Sequence, residues 1–535
     1  MRPVHLVPAA VVLLALGAIT GAAQFDQPAA TAPSHAVMPP RQAPVTSAAR
    51  ACPPVPGGGS GTVAFIAGPA GSSGPAGGTG QAELVPLPLA GADLRAAGPI
   101  SQDAPGTLQM LTIPAAQNAG RGRAQALQGW AVTANGSMAK AMEAEVTQRQ
   151  GLGAVRCGEP GSDIWFVGPG QQGGAAQIQL DLMNVDALAA SVDVSVITDA
   201  GRVQAGDAAG LTVPPHQTVT ESLSSLASGS SVVAIEVRTD IGRVAADVTE
   251  SSSSGGTASW LPGAAVPSTQ LVIPGVAPAS RPAGLYIVVP GHVDARVSVL
   301  AVTPQGPYRP FGSQTEDLPA GSASYVPLTP LGGTWSALEL TSNVPVTAAV
   351  LVPGSGLGVF TAATAAISEQ AVVAGNSAGS GLGAAIVLSA PAGPARVRLT
   401  EMAQATASRA TASGATASGA TASGATASGA TASGATAAGA TAAGASSAGV
   451  GATASQVVSV RAGHTVTAQV SAPPGARQGT AFAVVVTPLA GSGPVYAARV
   501  ETQGQSTVVS IIPAVSALTT IMLPPVRDSY DAISP

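Results

Sequence analysis

Charge is scarce in this chain, and so are aromatic rings, lysine, histidine and cysteine. Charged residues make up 9% of the 535 positions and the formal net charge is −5, whereas ordinary globular domains are about a quarter charged. No run of basic residues occurs, and no arginines alternate with aromatics. Nothing here could displace counterions from a phosphate backbone, which excludes nucleic-acid binding as a function class. Aromatics account for only 3%, so the cores must be lean ones of Val, Leu, Ile and Ala. Lys140 is the sole lysine among 22 Lys and Arg residues. The two cysteines, Cys52 and Cys157, have no histidine near them in sequence. They cannot complete a four-ligand metal site, and the sequence points to no cofactor.

The N-terminus carries the location signal. Arg2 precedes an apolar stretch from Val4 to Ile19, followed by Gly21-Ala22-Ala23. A basic start, an apolar segment and small residues form a secretory signal. The same 20 residues, Val4 to Ala23, are also long enough to serve as an uncleaved membrane anchor. Both readings place residues 24–535 outside the cytoplasm, secreted or anchored, with membrane contact only if the segment stays attached. In an oxidising compartment a lone cysteine pair bonds, so a Cys52–Cys157 disulfide is expected, two separate buried thiols being the alternative. Residues 24–50 are rich in Pro, Ala, Ser and Thr without hydrophobic period, and are expected to form a disordered spacer.

Beyond the spacer the chain repeats. Trp165-Phe166-Val167-Gly168-Pro169-Gly170 returns as Gln270-Leu271-Val272-Ile273-Pro274-Gly275, 105 positions on, and Leu180, Val194 and Gly201 return as Leu285, Val299 and Gly306. A copy upstream begins at Phe65-Ile66-Ala67-Gly68-Pro69, and another downstream aligns Val397 with Val297. A period of about 100 residues indicates tandem domains rather than solenoid repeats of 20–50 residues. The expected modules are 51–155, 156–262, 263–372 and 373–526, with a C-terminal tail at 527–535.

Within a module the signal is period two. Val192, Val194 and Val196 alternate with Ser191, Asp193 and Ser195, and Val233, Ile235 and Val237 alternate with Ala234, Glu236 and Arg238. Successive strand side chains face opposite ways, which puts the aliphatics inward. Thr239-Asp240-Ile241-Gly242 supplies turn chemistry before Val244, Ala246 and Val248 resume, suggesting a hairpin. About seven such runs per module predict an all-β chain of tandem immunoglobulin-like antiparallel β-sandwiches. The alternative is a β-propeller with two blades per module.

One segment differs in kind. Residues 405–446 repeat Thr-Ala-Ser-Gly-Ala with minor variation and have almost nothing to bury. Val194 to Val213 is 19 positions, as is Val299 to Leu318, whereas Leu399 to Val460 is 61. The excess of 42 equals the length of the tract, which predicts a disordered loop inserted into the fourth module.

The motifs that could carry chemistry fail on their context. Gly168-Pro169-Gly170-Gln171-Gln172-Gly173 fits a dinucleotide fingerprint, but that motif needs a helix next, and Ile178-Gln179-Leu180-Asp181-Leu182 alternates like a strand. Ser137-Met138-Ala139-Lys140 fits the Ser-x-x-Lys of penicillin-binding enzymes, yet the Lys-Thr-Gly strand those enzymes use cannot exist in a chain with one lysine. His216 and His464 neighbour turns without an acid or second histidine close by. Trp130, Trp165, Trp260 and Trp335 are candidates for a sugar-stacking platform, but their places at strand starts and module edges suit core packing. No catalytic residue emerges.

Cys157-Gly158-Glu159-Pro160, followed by Trp165-Phe166-Val167-Gly168, resembles the signature of DUF5719, a family of actinobacterial exported proteins of unknown function. The resemblance implies an N-terminal signal or membrane segment, Ala/Gly/Pro-rich β-modules and a cysteine opening the first module, as Cys52 does. The tract at 405–446 is not part of that pattern. The expected function is therefore a non-catalytic structural or interaction protein of the cell envelope, its partner an envelope protein or cell-wall glycan. The competing expectation is an enzyme or carbohydrate-binding protein acting on cell-wall polymer. A cleft with convergent carboxylates would favour the latter.

Overall fold

A computed structural model describes residues 41–523, except for 69–79, 91–99, 103–104, 114, 116–127, 150–152, 204–209, 253–257, 279–282, 311–314, 329–330, 332, 353–357, 377–380, 405–452, 477–479 and 505–506. The N-terminal segment 1–23, most of the spacer, the tract 405–446 and the tail 527–535 fall outside the described residues. The chain divides into two units, one of residues 1–43 and 520–535 and one of residues 44–519. In the small unit the strand Arg41–Pro44 pairs with Thr520–Leu523. Everything below concerns the large unit.

That unit is all-β, in four sandwiches of two antiparallel sheets each. The four share one strand order. In every sandwich the first sheet runs 1-6-3-4 and the second 5-2-7-8, counting strands along the chain. The second sandwich shows it plainly. Its first sheet holds Asp163–Pro169, Val232–Ile241 and Ala190–Thr198, with Gly201–Val203 and Leu211–Val213 sharing the edge. Its second sheet holds Thr218–Ser222, Ala175–Met183, Ala245–Ser252 and Ser259–Leu261. The eighth strand, often three or four residues long, is too short to show alternation, and sequence reading misses it.

The alternating valines behave as their period requires: Val192, Val194, Val196, Val233, Ile235 and Val237 are all buried in the core of the second sandwich. Thr239–Ile241 continue the strand, and the chain bends only at Gly242, φ +77°, a conformation that costs glycine little. The strands it joins are not a hairpin, however, for Val232–Ile241 lies in one sheet and Ala245–Ser252 in the other. The third sandwich does without the bend altogether. There the 17-residue strand Ser336–Val352 crosses from sheet to sheet, pairing first with Ala295–Thr303 and then with Ala283–Val289. Local turn chemistry fixes a reversal but not the partner.

A second correction concerns the spacer. Residues 47–52 form the first strand of the first sandwich, paired from Ser47↔Asn135 to Cys52↔Trp130. Its run of alanines around Arg50 shows no hydrophobic period, so the strand leaves no alternating mark in the sequence.

The sandwiches are not strung out along the chain. The first sheet of each packs on the second sheet of the next, and the fourth packs back on the first. Leu87 and Ala131 meet Met183 and Ala245 in one seam, and Val500 and Ile511 join the core of the third sandwich in another. Ala64, Ile66 and Leu108 meet Val372, Ala374 and Val485 where the circuit closes. Gly275, at φ +71°, permits the closest of these approaches, since a Cβ there would lie 2.5 Å from Cβ of Ala498. Eight four-stranded sheets thus stand in a closed circuit, yet it is no propeller. The chain crosses between the sheets of each pair at most connections, so the two-sheet sandwich is the repeating unit.

Candidate functional site

The eighth strands of the four sandwiches, Ala154–Arg156, Ser259–Leu261, Val359–Ala362 and Thr507–Ala514, contact one another in a cycle at the centre of the ring. They surround a cavity of about 560 Å³, whose walls include Arg156, Asp247, Trp260, Phe360 and Ile511. This volume suits a small organic ligand, and such sites are mostly apolar with a few fixed polar groups.

The polar groups around the cavity are tied into the frame. Glu143 is clasped by two arginines: Arg156 donates from Nε to its Oε2 at 2.8 Å, and Arg50 from Nε to its Oε1 at 3.3 Å. Arg50 also reaches Glu159 at 3.4 Å. Beside this cluster Cys52 and Cys157 form a disulfide with Cα atoms 4.3 Å apart. Both cysteines are buried with Val155 and Trp260.

Asp247 lies directly opposite Asp181 on paired strands, and both side chains are buried. Burial raises the Asp181 carboxyl to about 6, against the pull of hydrogen bonds donated by Thr220 and Gln179. Burial pushes Asp247 well above the usual carboxylate range; the Asp181 charge adds to this and Arg156 opposes it. Glu250 sits in the core of the second sandwich, in the space left by Gly168, where a Cβ would be 3.0 Å from its Oε1. Neither oxygen of Glu250 has a hydrogen-bond partner, and burial pushes this carboxyl well up too. A buried carboxyl without a partner is held as the neutral acid.

A second buried network closes the ring. Arg499 of the fourth sandwich lies 2.6 Å from Glu145 of the first and 3.7 Å from Glu501. Its Nη1 donates to the Gly375 carbonyl at 2.7 Å, and its Nη2 to Ser510 at 2.9 Å. The Gly375 amide donates to Glu145 at 3.1 Å. Burial raises the Glu145 carboxyl even though Arg499 pulls it down.

The residues singled out in the sequence are dispersed, apart from the disulfide pair. After Gly168-Pro169-Gly170 the chain turns and enters the strand Ala175–Met183, not a helix. Ser137 lies in a short 3-10 turn, Gly136–Ala139, whose Met138 and Ala139 are buried. His216 occupies a turn at φ +51°, and His292 is exposed in another. Trp130, Trp165 and Trp260 are buried and Trp335 packs against the third core, so the four do not form a platform. No histidine, cysteine or lysine lines the cavity, and no cluster of three metal-ligating side chains occurs among the described residues. The carboxylates that the sequence reading passed over were legible in one case. Glu250 falls in phase with inward Ala246 and Val248, which marks an acid aimed into a core.

The model of a family of unknown function, DUF5719, matches residues 115–423. That span contains the second and third sandwiches whole and covers more than half of the chain. No curated protein matches, and no solved structure does.

Proposed function

The chain belongs to this family of unknown function, and on that premise we propose that it is an extracytoplasmic, non-catalytic interaction protein of the cell envelope. The observation that carries the reading is where the buried carboxyl groups sit. Glu145 and Arg499 bridge a seam between sandwiches, Glu143 is held between two arginines of its own sandwich, and Glu250 is enclosed in a core. Groups of this kind mark active sites when they converge on a cleft; these do not line the cavity, and the Glu145–Arg499 pair joins two sandwiches instead. The disulfide supports a location outside the reducing cytoplasm, and no helix among the described residues is long and apolar enough to cross a membrane. Secretion or attachment through residues 1–23, and an envelope protein or cell-wall glycan as partner, complete the reading.

One observation favours the carbohydrate reading as a second possibility: the central cavity has an acid, Asp247, and an aromatic, Trp260, in its wall. Incubating the purified protein with cell-wall polymer separates the two. Co-sedimentation without release of reducing ends fits an interaction protein. Release of reducing ends that is lost in Asp247→Asn would overturn the non-catalytic assignment.

A further inference from the structure

The outer rim of the ring is made of edge strands, and the sandwiches treat these edges differently. An open edge presents unpaired backbone N–H and C=O groups to any other strand, and proteins blunt such edges with short strands, charges and prolines. In the second sandwich the fourth-strand edge is broken into Gly201–Val203 and Leu211–Val213. In the third it is broken into Gly306–Tyr308 and Glu316–Leu318, which carry Pro307, Glu316 and Asp317, with Arg296 paired to Asp317 at 2.8 Å. In the first sandwich Ile100–Gln102 is the one described strand in this place.

The fourth sandwich departs from this rule. Its edge is the continuous strand Thr453–Val460, paired without a bulge from Ala395↔Val460 to Met402↔Thr453. Its eight residues, Thr-Ala-Ser-Gln-Val-Val-Ser-Val, include no charge, no proline and no glycine. Val457, in the middle, is 50% exposed. No described strand pairs with the outer side.

We propose that this edge is the interface through which two copies of the chain pair, strand Thr453–Val460 against its own counterpart, antiparallel about a two-fold axis. An isologous contact needs a self-complementary surface. An uncharged strand meets that need, because like charges facing each other across a strand pair are destabilising. Centred on Val457, the pairing sets the two Val457 side chains against each other and Ser455 opposite Ser459. It keeps each strand's inward face inward and joins two four-stranded sheets into one of eight strands. The inference does not depend on what the protein binds.

The chain offers a clean test, since both native cysteines are consumed in the disulfide and no described cysteine is free. Under mild oxidation Val457→Cys is expected to give a covalent dimer in high yield, while Leu188→Cys, exposed on a different sandwich, stays monomeric. Sedimentation of the unmodified full chain should show a dimer, and Val457→Lys with Ser455→Lys should return it to monomer at the same concentration. Both side chains point out of the fold, so the monomeric variant should keep the parent's circular dichroism spectrum. A monomeric unmodified chain overturns the proposal. So does cross-linking of Val457→Cys no faster than that of Leu188→Cys, or a lysine variant that remains dimeric.

Discussion

Arg499 and Glu145 touch at 2.6 Å although 353 residues of chain separate them. The pair joins the last sandwich to the first, the only seam of the ring that no peptide linker spans. Both side chains are buried, and Arg499 is fully enclosed. Losing one partner of such a pair leaves the other charge buried without compensation, which costs about 3–5 kcal/mol. Arg499→Met should therefore lower stability toward urea by about that amount. Adding Glu145→Gln and Glu501→Gln should recover much of it. A single variant as stable as the parent would show that the seam is held by Ala64, Ile66 and their apolar partners alone.

The disulfide closes a loop that holds the first sandwich from its second strand to its eighth, Cys52 and Cys157 being 105 positions apart. In the chain-entropy treatment a loop of this length stabilises by about 4–5 kcal/mol. Replacing both cysteines by serine should weaken the protein by that order, measured as a shift in the urea midpoint. A shift confined to a fraction of the unfolding signal would mean that the first sandwich melts apart from the rest.

Asp181 sets a pH dependence with a defined sign. Its pKa in the fold, about 6, stands above its ordinary value of 3.8. Below about pH 4 the group is protonated in both the folded and unfolded chain and costs nothing. From there to about pH 6 the unfolded chain gives up its proton first and stability falls, by about 3 kcal/mol for this group in full. Asp247 and Glu250, raised for the same reason, act in the same direction. The protein should thus melt higher at pH 5 than at pH 8, and Asp181→Asn should flatten that slope while raising the melting temperature at pH 8. An unchanged slope in the variant would show that Asp181 is better solvated than its burial implies.

The low-complexity tract enters between strands that are direct neighbours, for Met402 and Thr453 are register partners. Removing 405–446 leaves enough chain to close this hairpin, and shortening a loop changes its closure entropy little. Circular dichroism should show the melting temperature of the deleted form equal to the parent's or slightly higher. A large drop would make the tract part of the fold.

What the sequence disclosed follows from which interactions are local. Alternation at Val192–Val196 and Val233–Val237 located strands and their inward faces, because period two is a property of one strand. The repeat marked a period of about 100 residues along the chain. Ring closure left no such mark. Glu143, Glu145, Asp181 and Asp247 stand at the outward phase of their strands and look solvated in a sequence, yet all four are buried. A polar residue on an outer face reads the same whether water or another sheet lies against it. Only Glu250, at the inward phase of its strand with Ala246 and Val248, was legible as a buried acid. The dispersal of the histidines and tryptophans was foreseeable from their neighbours; the cavity between the eighth strands was not, since three of those strands are only three or four residues long.

The closure of the ring also sets a schedule for biosynthesis. Translation delivers Ala64, Ile66 and Leu108 early, but the residues that cover them begin at Val372 and continue through Val485. Until the fourth sandwich has been made, the first carries a bare apolar face and a carboxylate, Glu145, whose counter-ion does not yet exist. A ribosome adds about 5–20 residues per second, so the interval between Leu108 and Val372 lasts tens of seconds at the slower end of that range. Throughout it the growing polypeptide is a target for chaperones and for adhesion to its neighbours on the same message.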